Sequence, residues 1–239
     1  MNLKNILVYL DKSHHSMVTL ELALGLAKQH EAKLTALYII THKYHEPQHV
    51  DTESKRAQIQ AEFEMKIGAV GVDAELLVVE MAATGASIAE IVNHHAYYSD
   101  LVIIAQTDFG APDKDTPTGL AEHLILGSGR PVLIVPYVAS YKNFATRILV
   151  AWKPGRASTR TVSDSLPLLA NADAVKVLVV NPLGFVENEG KKLCAHLACH
   201  NIKANVVEAT SSGVTVGDVL IKRASTEESN LLVMGAYAP

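Results

Sequence analysis

The chain has 239 residues, 49% hydrophobic, 19% charged and 5% aromatic, with a formal net charge of −4; this balance suits a globular α/β protein and leaves no basic surplus for a nucleic-acid backbone. Its apolar runs reach about four to six residues, where a membrane-spanning helix needs roughly 18 to 20, and the opening MNLKNILVYLDKS meets an acidic side chain too early for a secretory signal. With two cysteines, Cys194 and Cys199, suited to a reducing compartment, a cytoplasmic protein with no nucleic-acid or membrane partner is expected.

In chain order, apolar strand runs alternate with stretches of helical period, the signature of βαβ units and a parallel sheet. Strands are predicted at residues 5–10, 33–40, 74–79, 101–105 and 131–135. The first helix, at 16–30, sets Leu20, Ala23, Leu24 and Ala27 on one stripe, with Ser13 or Ser16 as its cap. Further helices are predicted at 51–70, 87–98 and 118–126. Late in the third, one of His94 and His95 is expected to be exposed and Tyr97 and Tyr98 to pack. Pro131 suits the first residue of an edge strand.

The pattern is then written a second time. NILVYLDKS, from Asn5, recurs as RILVAWKPG from Arg147, 142 positions on. The block starting at Gly85 recurs from Gly213 at an offset of 128, which becomes 130 after a two-residue insertion, so that Asp100 falls on Asn230. Second-copy strands follow at 148–151, 175–180, 205–207 and 231–234, with helices at 158–170, 187–200 and 216–224. The division is into domains 1–140 and 141–239. The first copy carries about thirty further residues, ending in PVLIV, for which the second has no counterpart. The second domain is expected to lack its last helix and strand, to expose apolar surface there, and to be the weaker half.

Together, ILVYLDKSHHS, ILVAWKPGRAS, SDLVIIAQ, SGRPVLIVP and NLLVMGAY resemble the universal stress protein family in its tandem two-domain form, over essentially the whole chain. The resemblance implies two flavodoxin-like domains of the adenine nucleotide alpha hydrolase-like kind, with open parallel sheets of strand order 3-2-1-4-5. It also implies a stress-response protein without catalysis. Nucleotide-binding members hold the adenosine end with an aspartate ending the first strand and cradle phosphates with G-x2-G-x9-G-[ST] after the fourth. Glycines let the backbone approach, exposed N–H groups bind anionic oxygens, and ligands of such sheets lie beyond the carboxyl ends of the strands. The candidates this implies are Asp11, Ser13, Ile39, Gly127 and Ser128 in the first copy and Lys153, Val180 and Gly235 in the second.

The glycine pattern itself is absent. With Ala105 as its first position, Asp108 and Thr118 take the next two; with Gly127 and Ser128 as its end, Lys114 and Pro117 take the earlier ones. Asp108, Asp113 and Asp115 against one lysine would repel a triphosphate unless a metal intervened. In the second copy Gly235 matches the first glycine, Ala238 replaces the second, and the sequence contains no third. No cofactor is therefore expected, with ATP as the alternative.

Other constellations carry less. In KKLCAHLACHNIK, His196 and His200 fall about 40° apart on a helix, a zinc-compatible spacing, but Cys194 and Cys199 fall about 140° apart, so the four cannot converge on one ion. No metal site is assigned. His14 and His15 read as a solvated helix start. No nucleophile elbow, Walker A loop or dinucleotide fingerprint occurs, and Ser128 in GSGRP reads as a turn, so no catalytic residue is assigned. In the family the resemblance names, fifth strands pair antiparallel at the sheet edge. This implies a homodimer through Val132, Leu133, Ile134 and Val135. A third reading is a small-molecule carrier using Trp152 and Tyr141.

Overall fold

The structure is a computed structural model that describes residues 2–11, 13, 15–41, 52–68, 70–107, 117–136, 141, 144–182 and 188–236. It divides into two units, residues 2–140 and residues 141–239. The first runs β1 (Asn5–Leu10), α1 (His15–His30), β2 (Lys33–Ile40), α2 (Thr52–Gly68), β3 (Ala74–Glu80), α3 (Met81–Thr84), α4 (Ile88–Ala96), β4 (Leu101–Ala105), α5 (Leu120–Gly127) and β5 (Val132–Val135). All five strands are parallel, in the expected order β3-β2-β1-β4-β5. β1 and β4 read as unbroken apolar runs because helices cover both faces of a parallel sheet. The order reverses between β1 and β4, which places the switch-point crevice beyond their carboxyl ends.

Leu7, Leu37, Val102 and Ile104 from the sheet close on Ile88, Ile91 and Val92 of α4 and Leu120 and Leu124 of α5. α4 starts with a full capping box: the Ser87 hydroxyl accepts from the Glu90 amide while the Glu90 carboxylate accepts from the Ser87 amide. The short α3 carries no sequence signal and was not expected. Tyr97 and Tyr98 correct the sequence reading: they are 49% and 75% exposed. α4 ends at Ala96, and it is Ala96 and Ser99 that continue the buried stripe of Ile88 and Val92, leaving the tyrosines off it.

The second unit runs β6 (Arg147–Ala151), α6 (Arg156–Leu169), β7 (Ala174–Val180), α7 (Glu189–Cys199), β8 (Ala204–Ala209), α8 (Val216–Thr226) and β9 (Leu231–Met234). Its sheet has four parallel strands, β8-β7-β6-β9, among the described residues. The repeat holds at the level of single bonds. The Asp100 carboxylate accepts from the Lys4 and Asn5 amides, and the Asn230 carbonyl does the same for Arg147. Thr215 and Asp218 rebuild the capping box of Ser87 and Glu90.

Beneath α8 the second sheet buries Leu149 and Leu178 against Leu220. Val216 is 47% exposed where Ile88 is 6%, and Met234 is 50% exposed where Ile104 is 2%. In the first unit α5 and β5 cover those positions. No described helix is long and apolar enough to cross a membrane.

Candidate functional site

β1 delivers Asp11 to the switch point, where a short polar network fixes it. Its Oδ1 accepts from the Ser13 amide at 2.9 Å, the Ser16 hydroxyl at 2.6 Å and the Ser13 hydroxyl at 2.5 Å. In return the Asp11 amide donates to the Ser16 hydroxyl at 2.8 Å. This is an Asx-turn closed by a buried serine. Ser13 and Ser16, one of which the sequence offered as the cap of α1, both turn their hydroxyls to Asp11.

Beside this knot lies a cavity of about 360 Å³ between α1 and α2. Leu10, Leu20, Tyr38 and Phe63 form its apolar wall, and Asp11, Ser13, Gln58 and Glu62 supply the polar lining. Glu62 accepts from Gln58 one turn earlier on α2 at 3.0 Å. Two carboxylates and no described cationic lining residue make the cavity a match for hydroxyl or amine donors with an apolar body and a poor one for phosphate.

The other candidates do not join Asp11 and Ser13 in the cavity lining. Ile39 is 4% exposed, its side chain in the core. Gly127 ends α5 against α4, where a Cβ would stand 2.6 Å from Asn93 Nδ2. The buried Ser128 accepts from the Arg130 amide at 3.1 Å, closing the turn into β5, and the Arg130 guanidinium donates to the Tyr97 carbonyl. Gly127 and Ser128 thus have packing and turn roles. In the second unit Lys153 is exposed and Val180 packs on the core. Gly235 lies on the first turn of α6, where a Cβ would stand 2.7 Å from Ser158 N. Asp108, Asp113, Lys114, Asp115, His14 and Ala238 lie outside the described residues.

Sequence reading missed Tyr38, Gln58, Glu62 and Phe63. The only available signal was the pair of i, i+4 steps on α2, Gln58 to Glu62 and Ile59 to Phe63, which sets a polar rim beside an apolar stripe.

Beyond its own geometry, the chain matches the family model described as universal stress protein family over residues 2–136. The solved structure of a universal stress protein from Archaeoglobus fulgidus DSM 4304 is similar, at 18% identity and a TM-score of 0.71 over 93% of this chain and 83% of that one. A functionally unknown protein from Pseudomonas aeruginosa PAO1 is similar at 15% identity and a TM-score of 0.61, over 99% of this chain and 83% of that one. These likenesses carry the fold. No curated protein matches the chain.

Proposed function

Since the chain belongs to the universal stress protein family, we propose that it is a non-catalytic cytoplasmic stress-response protein that works through protein interaction, first with a second copy of itself. The observation that carries this reading is the edge formed by β5. Among the described residues β5 pairs only with β4. The Pro131 and Val135 carbonyls accept from the Val102 and Gln106 amides, so by the alternation of a parallel ladder the backbone groups of Val132 and Ile134 point away from the sheet. Ile134 is 38% exposed, whereas Leu133 and Val135 are buried in their own unit. Of the four residues expected at a dimer contact, Ile134 and the half-buried Val132 therefore offer side chains, and the other two offer none.

Two such edges are self-complementary: antiparallel pairing about a twofold axis satisfies the outward amides and carbonyls and covers Ile134 on both copies. The test is the solution mass by light scattering at micromolar concentrations, for the wild type and for Ile134→Lys. Two chains falling to one on substitution supports the reading. A single-chain wild type overturns it.

A second reading, an adenine-nucleotide sensor, draws on the cavity beside Asp11. Its carboxylates suit the hydroxyls of a nucleoside, while the absent glycine pattern gives phosphates no cradle. Thermal unfolding with and without millimolar Mg-ATP separates the two readings. Saturation at about 100 times Kd adds roughly 2.7 kcal/mol, and Asp11→Ala would abolish that gain.

A further inference from the structure

We propose that His196 and His200 form a chelating site on α7 for a borderline divalent metal ion of the Ni²⁺, Cu²⁺ and Zn²⁺ class. The two residues are one helical turn apart, about 40° in azimuth, with His200 capping the helix. Their ring centroids stand 5.0 Å apart at an interplanar angle of 70°. Both are exposed, while Leu193 and Leu197, which flank them around the helix, are buried. The backbone beneath the pair is thus anchored, and the rings are free to rotate about their side-chain bonds. Imidazole nitrogens bind such ions at about 2.0–2.1 Å, so two donors on one ion stand roughly 3 Å apart, a separation that rotation of neighbouring rings reaches.

The surroundings select the class of ion. The pair contains no carboxylate, so hard oxygen-seeking ions such as Ca²⁺ and Mg²⁺ gain nothing from it. Lys192, exposed one turn earlier on the same face, opposes a cation held by charge alone. Only an ion that forms coordinate bonds to nitrogen is retained. The carbonyl end of α7, the negative pole of the helix dipole, favours positive charge at this turn.

The cysteines stand aside. The Cys199 thiol donates to the Ala195 carbonyl, and Cys194 falls about 160° from His196 around the helix. Among the described residues no group of three or more His, Cys, Asp or Glu side chains gathers as a metal site. The described residues thus supply two ligands, and water would supply the rest. The sequence reading rejected four ligands on this helix; the structure points to two of them.

Calorimetric titration of the full chain with NiCl₂, at neutral pH in a non-coordinating buffer, tests the site. The wild type is expected to bind one more Ni²⁺ than the His196→Ala/His200→Ala double variant. Each single variant should weaken that site by about tenfold or more, because a chelate fails when either arm is removed. Cys199→Ser should leave it intact. Equal stoichiometry in wild type and double variant would overturn the proposal, as would two single variants that each keep wild-type affinity. Loss of the site in Cys199→Ser would reassign it to the thiol. Unchanged far-ultraviolet circular dichroism of the variants separates loss of ligand from loss of fold.

Discussion

Gly235→Ala isolates one steric contact. The backbone of Gly235 lies outside the left-handed region, so alanine meets no conformational strain there. What it meets is α6: the new Cβ would stand 2.7 Å from Ser158 N and 3.0 Å from Ala157 C and Ser158 Cα. All three are backbone atoms of the helix's first turn, with no flexible side chain to swing aside. Relief requires β9 and α6 to separate by several tenths of an ångström, and overpacking of this kind costs about 1–3 kcal/mol. The reduced freedom of the unfolded alanine chain returns about 0.4–1 kcal/mol, which leaves a net loss of about 1–2 kcal/mol. Urea unfolding followed by Trp152, the single tryptophan and a second-unit residue, should show the midpoint falling by about 0.5–1 M at ordinary slopes. Gly25→Ala is the control: Gly25 is exposed within α1 with nothing within 4 Å of a Cβ, and the change should stabilise by about 0.5–1 kcal/mol. An unchanged midpoint for Gly235→Ala would refute the reasoning and leave the glycine for a ligand to explain.

His30 is 0% exposed, and its two ring nitrogens have no partner among the described residues. Burial first, and then the positive charge of Lys4, holds its pKa below the ordinary 6.5. The unfolded chain therefore takes up a proton that the folded one resists, so stability should fall as pH drops below 6.5 and level off below the folded value. Urea midpoints between pH 5 and 8 should show that slope in the wild type and a shallower one in His30→Leu. Leu124→Ala, fully buried between α5 and α4, should cost about 2–5 kcal/mol in the first unit by thermal unfolding. Ser87→Ala and Thr215→Ala each remove a capping hydroxyl and should each cost about 0.5–2 kcal/mol by the same measurement.

What was legible in the sequence followed from period and repetition. β1, β2 and β4 are runs whose apolar residues face helices on both sides, so their bounds stood out, and the strand order came with the resemblance. The match of Asp100 to Asn230 came from alignment alone, and the structure gives both side chains one task, bracing the start of the first strand. The cavity was not legible because its walls come from α1, β2 and α2, whose periodicities record only that each buries a stripe. The Asp11 knot escaped because a carboxylate that ends a strand looks the same whether it awaits a ligand or holds its own turn. Gly127 and Gly235 escaped for a related reason: a glycine needed for close packing is spelled like one needed for phosphate. Tyr97 and Tyr98 were misplaced because their aromatic character was read as burial, whereas the period of Ile88 and Val92 continues through Ala96 and Ser99.

The most direct test of self-association through β5 is amide hydrogen exchange at Val132 and Ile134, whose N–H groups point away from the sheet, measured over a hundredfold range of protein concentration. Pairing between copies requires protection of these two amides to rise with concentration while that of Leu133 and Val135, bonded within the sheet, stays constant. Fast exchange at Val132 and Ile134 at every concentration would contradict it.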